Sequence, residues 1–437
     1  MKLPIFIVTF VLAIVSSTAS SNALRIDNKQ ILVNTIDEYV KNGANPFVYA
    51  RVENRHGDIL FEHGSVNETL LPDTQVDGET WLRIWSMSKL ITISLTMNLV
   101  EKGVLTLDDP ITNYIPEFKH LKVAVGPNGE DLGSLNHYAD NIKQTIREKD
   151  CPLKTVAIQK QITIKDLIIH EAGFYYQTGI KCLDEMLSQA NLVDSQDSQT
   201  LINKLASLPL IQQPGPNYYY GTNTTVLGLV VERATGKSLS KLVEEIITSP
   251  LAIDNLVYKL SEGVSLLPKF SGADGQLRIM KPNEQDIFKG DVPAYQTSDQ
   301  LYLGGEGMIA TTAAYADFLQ VILNYGVSND YRMLKKETIE LMTSPQTLKN
   351  DWGYDGFNIW VNSGKLGNGE FGRGGLWIGG GYEGTHYWID QELGLIGLIM
   401  TQIYAPPTQA GDRDDNIREA VYDQLIVNDK PFRMQSR

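Results

Sequence analysis

Cysteine is nearly missing from this chain: only Cys151 and Cys182 occur among 437 residues, which excludes a disulfide-built scaffold and any Cys-x-x-Cys metal site. The two either pair in an oxidising compartment or stand as separate buried thiols, because spacing along the chain does not give their distance. Histidine is almost as scarce, at positions 56, 63, 120, 137, 170 and 386. No His-Glu-x-x-His or comparable cluster forms among them, so a protein without metal or cofactor is expected. No run of Lys and Arg offsets the formal net charge of −14, and a chain this acidic repels phosphate backbones and anionic lipid. Nucleic acid is not expected as a partner.

Long apolar runs are also lacking, apart from one at the start. Lys2 precedes an apolar stretch from Leu3 to Val15, and small residues follow at Ser17-Thr18-Ala19 and Ser21-Asn22-Ala23. A bilayer span needs ~20 apolar residues. The shorter run therefore reads as a signal peptide over residues 1–23, cut after Ala19 or Ala23, with an uncleaved anchor as the competing reading. Export to a periplasm or to the medium is the expectation, with no stable membrane span once the leader is removed. Repeats and low-complexity tracts are missing too.

What is present describes an ordinary globular protein, at 42% hydrophobic and 21% charged residues. The ~400 residues after the leader exceed one compact core, so two lobes are expected. Phe47-Val-Tyr-Ala-Arg-Val52 alternates in β-favouring residues and turns at Arg55-His56-Gly57-Asp58 into Ile59-Leu-Phe61, a hairpin. Leu90, Ile93, Leu95, Met97 and Val100 predict a buried helix from Ser86 that Gly103 ends. Short helical stretches and polar connectors punctuated by Pro and Gly fill Asp108 to about residue 300. A helix over Ala313–Tyr325 follows, then strand-like runs, clearest at Tyr387–Asp390 and Leu395–Met400, and a last helix near Asn416–Val427.

Asp412, Asp414 and Asp415 suggest a calcium loop, but the glycine required at its sixth position is Ile417 here. Negative charge at a helix N-terminus accounts for them better. The whole pattern predicts an α/β (α+β) fold. An antiparallel sheet built from both chain ends, residues 24–112 and 301–437, is flanked by helices, and a mostly helical lobe is inserted at 113–300.

Ser86-Met-Ser-Lys89 sets a hydroxyl and an amine on one helical face. A serine hydroxyl is a weak nucleophile until a neighbour takes its proton, and a lysine does so only where its surroundings lower its pKa well below ~10.4. Alone the pattern is weak. Ser238-Leu-Ser-Lys241 repeats it behind Thr235-Gly236-Lys237, in what reads as a surface turn.

Three further segments stand in order after Ser86-x-x-Lys89: Ile162-Thr-Ile-Lys-Asp-Leu-Ile-Ile-His170-Glu-Ala-Gly173, Tyr220-Gly-Thr-Asn-Thr-Thr-Val-Leu-Gly228 and Gly304-Gly-Glu-Gly307-Met-Ile-Ala-Thr311. With Leu105–Pro110 and Gly384–Asp390, they resemble the serine β-lactamase-like, penicillin-recognising superfamily of class C β-lactamases, D-amino-acid peptidases and family VIII esterases. The resemblance runs from about Phe47 to Thr401 and implies a β-lactamase/transpeptidase-like fold. It also implies Ser86 as the acyl-accepting nucleophile, with Lys89 and Tyr220 as its proton-handling partners. Tyr218 and Tyr219 are out of step with that pattern.

Two departures bear on the substrate. The lactamase form has Asn two residues after the tyrosine, where this chain has Thr222 and then Asn223, which counts against β-lactam recognition. The superfamily's Lys-Thr-Gly element falls on Gly379-Gly380-Gly381, with no cation or aromatic side chain. Backbone there would still approach substrate: Gly380 and Gly381 would line it, and the N–H groups of Tyr382 and Ser86 would form an oxyanion hole. A plain glycine-rich hairpin, or a register on Arg373-Gly-Gly375, is the alternative.

The implied activity is hydrolysis of a small ester or peptide-like substrate through an acyl-enzyme. Esterase comes first, then D-amino-acid peptidase, DD-carboxypeptidase or β-lactamase; a non-catalytic binding protein on the same scaffold is the reading of another class. A Ser-His-Asp enzyme is not expected, since no Gly-x-Ser-x-Gly elbow exists. His170 reads as a helix-end structural residue, and His386 as a strand residue facing either the cleft or the sheet surface. The sequons at Asn67 and Asn223 are read as chance matches.

Overall fold

The computed structural model describes residues 23–126, 128–133, 153–215, 217–281, 284, 301–367, 369–407 and 411–433. The expected leader, apart from Ala23, lies outside them, as do Cys151 and His137.

Helix α1 (Lys29–Lys41) is capped by Asn28, whose side chain accepts the Gln30 N–H. Strands β1 (Phe47–Asn54) and β2 (Ile59–Val66) form the expected hairpin, with a second arm longer than its apolar start suggests. Then come β3 (Trp81–Arg83), a single 3-10 turn over Trp85–Met87, and α2 (Ser88–Glu101). The inserted stretch contributes α3 (Ile164–Ile168), α4 (Lys181–Ala190), α5 (Ser198–Ala206) and α6 (Asn223–Thr235). It also carries a hairpin of Lys122–Val125 with Lys154–Ala157. After it follow β4 (Ile309–Thr311), α7 (Thr312–Leu323), β5 (Gly353–Asp355), β6 (Trp360–Asn362), β7 (Trp377–Gly380), β8 (His386–Asp390), β9 (Leu395–Met400) and α8 (Arg413–Asp423).

The seven strands β5-β6-β7-β8-β9-β1-β2 make one antiparallel sheet in that order. The N-terminal hairpin adds to the C-terminal meander through β1 and β9, Tyr49 facing Met400 and Asn54 facing Leu395. Both chain ends thus share the sheet, as the sequence implied. The two-residue period sorts side chains between two cores. Phe47, Tyr49, Tyr387, Ile389, Ile396 and Leu398 enter the core shared with α2, α6 and α7. Val48, Ala50, Val52, Trp388 and Ile399 enter the opposite one, under α1 and α8.

Helix α2 is not amphipathic, for Ser88 through Leu99 are buried on every side, which makes it a central rod between sheet and helical lobe. Three of its polar side chains bond to the segment beyond that lobe. Thr92 Oγ1 donates to Gly304 O at 2.7 Å, Asn98 Nδ2 donates to Met333 O at 2.6 Å, and Ser88 Oγ accepts the Met308 N–H at 3.1 Å. Pairing of β3 with β4, Trp81 opposite Thr311 and Arg83 opposite Ile309, completes the join. The residues just before Ser86 therefore run beside those just after Glu306.

Two boundaries differ from the periodicity reading. Ser86 sits in the 3-10 turn rather than in the α-helix, because Trp85 at φ +45° swings the chain out of its β3 direction. Helix α8 starts at Arg413, with Asp414 and Asp415 in its first turn. It stops at Asp423, and Leu425–Val427 become a strand pairing with Leu24–Ile26. Asp414 pairs with Arg413 and Asp415 with Arg418, so these acids serve the helix.

Cys182, in α4, is disulfide-bonded. Among the described residues no helix is long and apolar enough to cross a membrane.

Candidate active site

Ser86, Lys89 and Tyr220 meet. Lys89 Nζ lies 3.0 Å from Ser86 Oγ, and the Tyr220 hydroxyl lies 2.6 Å from the same oxygen. The first contact follows from the local backbone, since Ser86 in the turn and Lys89 in the first turn of α2 stand three residues apart on one helical face. The second depends on a loop drawn in from the helical lobe. That loop is pinned on either side of the tyrosine: Tyr219 N–H donates to His170 O at 2.7 Å, and Gly221 N–H donates to His170 Nδ1 at 3.3 Å.

His170 owes its place to α3. Thr163 and Asp166 form a reciprocal capping box at the start of that helix, and His170, at φ +58°, ends it. Its ring stacks on Tyr220, with centroids 4.8 Å apart and planes 25° apart. Because Nδ1 accepts from Gly221, the ring proton sits on Nε2 and is donated to Asn358 Oδ1 at 3.2 Å. Burial, and then the charge of Lys89, depress this imidazole to about 3. It is neutral near pH 7 and orients the phenol, which is the structural, helix-end role expected of it.

Two further side chains complete the site, and the sequence offered little to single them out. Besides Ser86, Lys89 Nζ is 3.2 Å from the Tyr176 hydroxyl and 2.9 Å from Gly305 O, so the amine nitrogen has three oxygen partners. The Tyr176 hydroxyl donates to Glu306 Oε1, while Glu306 Oε2 accepts from Thr225 Oγ1 at 2.5 Å. Lys89 Nζ is 3.8 Å from Glu306 Oε1, both side chains being buried. Such a pair is tolerable inside a protein because each member is also hydrogen-bonded. Burial, and then the charge of Glu306, push the Tyr176 phenol well above its ordinary range, so it remains a neutral donor.

Gly305 makes the approach possible. A Cβ there would lie 2.9 Å from Thr225 Oγ1 and 3.4 Å from Lys89 Nζ. Glu306 had one sequence signal, a lone acid between glycines in the otherwise apolar stretch 301–310. Tyr176 had only its position shortly after Gly173.

Of the two candidate glycine registers, Gly379-Gly380-Gly381 is the one that lies near the residues leading into Ser86. Strand β7 ends at Gly380, opposite His386, and Gly381 N–H donates to Thr385 O at 2.8 Å. A Cβ on Gly381 would come within 2.6 Å of Ile84 O and 3.2 Å of Trp85 Cβ. The Tyr382 ring meets Trp85 edge-on at 5.6 Å, so Gly381 and Tyr382 lie against the residues that lead into Ser86. Gly379 is covered by the Tyr387 ring, 2.5 Å from where its Cβ would stand. Arg373 instead binds Asp390 at 2.8 Å and Glu392 at 2.7 Å.

The remaining candidates fall elsewhere. Asn223 turns to His170 Nδ1 at 3.1 Å and Phe174 O at 3.2 Å, fully buried. Tyr218 lies over His170, with centroids 5.7 Å apart, and Tyr219 is in the core. His386 faces α8, 3.4 Å from Arg418 and 3.9 Å from Asp414, and burial depresses it to about 4. Ser238 caps a short helix over Leu239–Val243 by accepting the Lys241 N–H at 3.2 Å. Among the described residues no group of three or more His, Cys, Asp and Glu could hold a metal ion.

Several known proteins are similar to this chain. Acyltransferase mokF of Monascus pilosus is 28% identical over 281 residues, 63% of this chain and 59% of its own length, so the chain spans less than two thirds of that relative. Esterase EstB of Burkholderia gladioli is 24% identical over 381 residues, 84% of this chain and 88% of the esterase. Two solved structures share the fold. Unliganded simvastatin synthase (LovD) from Aspergillus terreus superposes with a TM-score of 0.67 at 20% identity, covering 90% of this chain and 97% of that one. EstCE1, described as a hydrolase with promiscuous acyltransferase activity, gives 0.69 at 18% identity, covering 90% and 98%. The family model described as Beta-lactamase matches residues 32–422, a span holding every side chain of the site, and the chain belongs to that family.

Proposed function

We propose that the chain is a serine hydrolase that forms an acyl-enzyme at Ser86, with a small neutral ester as its first substrate class. One observation carries the reading: the Ser86 hydroxyl oxygen has both the Lys89 amine, at 3.0 Å, and the Tyr220 hydroxyl, at 2.6 Å, within hydrogen-bond distance. Family membership, with an esterase and an acyltransferase among the relatives, supports an enzyme of the serine hydrolase type.

In the proposed reaction the Lys89 and Tyr220 pair starts one proton short of fully protonated, and Ser86 Oγ attacks the ester carbonyl carbon while its proton passes to that pair. The tetrahedral oxyanion is held by the backbone N–H groups of Ser86 and Tyr382, beside Gly380 and Gly381. The same pair returns the proton to the departing alkoxide, leaving the acyl group on Ser86. Water then adds to the acyl carbon and gives a proton to the pair; the bond from the acyl carbon to Ser86 Oγ breaks, Oγ takes that proton back, and the carboxylic acid leaves. An alcohol in place of water would give acyl transfer, which the acyltransferase relatives favour as the second outcome.

The site offers little for a β-lactam. Asn223 is spent on His170 and Phe174, and the position of the superfamily's cation is Gly379, under the Tyr387 ring. A D-amino-acid peptidase keeps the same chemistry on an amide and ranks next. We further propose that residues 1–23 direct export. The test is turnover of p-nitrophenyl acetate and butyrate beside nitrocefin. The expected result is ester hydrolysis with nitrocefin left intact; a chain that folds and hydrolyses none of them would be a binding protein on this scaffold.

A further inference from the structure

The carboxylate behind Lys89 has no part in the reaction just described, yet it is built into the site with care. Glu306 is 1% exposed and Lys89 is fully buried. The carboxylate accepts the Tyr176 hydroxyl on one oxygen and the Thr225 hydroxyl on the other, at 2.5 Å for the latter. Tyr176 is thereby held with its oxygen turned to accept from Lys89 at 3.2 Å. Three distant stretches of chain meet to make this chain of contacts: the loop after α3, the first turns of α6 and the strand lead before β4. Packing alone would be served as well by an alanine or a leucine, and a carboxylate without a cation beside it would be costly to bury.

We propose that Glu306, acting through Tyr176, is a positioning residue for the Ser86, Lys89 and Tyr220 cluster: it fixes the lysine amine beside Ser86 and balances its positive charge. This inference rests on the hydrolase reading and deepens it. The groups facing Lys89 are Ser86 on its own turn, Tyr176 from the loop after α3, Tyr220 from the loop before α6, and Glu306 before β4. His170 at the end of α3 feels its charge at longer range, and Tyr258 feels that of Glu306. Glu306 is the only carboxylate among these. Its removal takes away the negative charge that favours the protonated cluster, so the rising limb of the rate against pH moves toward lower pH.

Glu306→Gln removes the charge at nearly unchanged shape: the amide oxygen can accept from one of Tyr176 and Thr225, while its NH2 can only donate toward the other. The experiment measures kcat and KM for a p-nitrophenyl ester from pH 5 to 9, with the rate at which a fluorophosphonate labels the Ser86 peptide. Wild type, Glu306→Gln and Tyr176→Phe are compared, with thermal unfolding as the check on folding. The expected result for Glu306→Gln is a kcat lower by about 10- to 100-fold, a KM within about twofold, and a rising limb displaced by about one pH unit to the acid side. Tyr176→Phe, which keeps the charge and cuts the link, is expected to lower kcat with a smaller displacement. Failure of wild type to label at Ser86 would overturn the hydrolase reading itself. Labelling of wild type with unchanged kcat and an unmoved limb in Glu306→Gln would overturn the positioning role alone. If Glu306→Gln does not fold, a Tyr176→Phe variant with wild-type kcat and pH profile would overturn it equally.

Discussion

The chain carries the Ser-x-x-Lys pattern twice, and the two copies are chemically unlike. At Ser86 the lysine is fully buried and its amine reaches the serine oxygen at 3.0 Å. At Ser238 the serine oxygen accepts the Lys241 backbone N–H at 3.2 Å, while the lysine amine, half exposed, pairs with Glu244 at 3.0 Å. One pair is a helix cap with a solvated ion pair; the other is enclosed by a phenol, a carbonyl and a carboxylate from remote segments. The pattern supplies only a spacing. What turns the spacing into a site is the removal of water and the arrival of Tyr220 and Glu306.

The comparison can be broken most sharply at the two serines. Ser86→Ala is expected to lower ester hydrolysis by ~10³-fold or more, whereas Ser238→Ala leaves kcat/KM unchanged; steady-state assays of the two variants decide it. The lysines give the next largest contrast. Lys89→Met should cost ~10²-fold or more in kcat and roughly 3 kcal/mol of stability, because Glu306 stays buried without its cation. Lys241→Met should stay within ~0.5 kcal/mol of wild type in urea denaturation, as exposed ion pairs contribute little.

Enclosure also has a pH signature that a surface pair lacks. His170 is held at about 3 and His386 at about 4, while an unfolded histidine titrates near ~6.5. Above pH ~6.5 both states are neutral and the groups contribute no pH dependence. As pH falls below that value the unfolded chain binds protons first, so stability is lost progressively down to the folded values. Replacing His386 with Phe should therefore shrink the drop in unfolding free energy between pH 7 and pH 4.5 by about 2 kcal/mol, read from urea denaturation at both pH values. The smallest expected effect is the loss of the Ser238 cap in Ser238→Ala, ~1 kcal/mol of stability with activity intact.

Much of this was legible in the chain because it is local. The hairpin follows from alternation at Phe47–Val52, the final strands from β-favouring runs, and the Ser86 and Lys89 contact from a spacing of three residues. Tyr220 was legible through resemblance, since the residues from Gly221 to Gly228 tell it apart from Tyr218 and Tyr219. Glu306 and Tyr176 were not, because their roles exist only once β3 pairs with β4 and the loop after α3 folds over Lys89. Helix α2 shows the same limit from another side. Buried all round, it has no polar face to mark its start, and the left-handed Trp85 that sets Ser86 ahead of it obeys tertiary packing rather than propensity.

The most direct test of the account is the mass of the protein during turnover. Wild type mixed with excess p-nitrophenyl ester, quenched in acid within the first turnovers and digested, should show the acyl mass increment on the peptide containing Ser86. The peptide containing Ser238 should be unchanged, and Ser86→Ala should carry no increment. Ester turnover with an unmodified Ser86 peptide, or an increment lodged on another residue, would contradict the assignment.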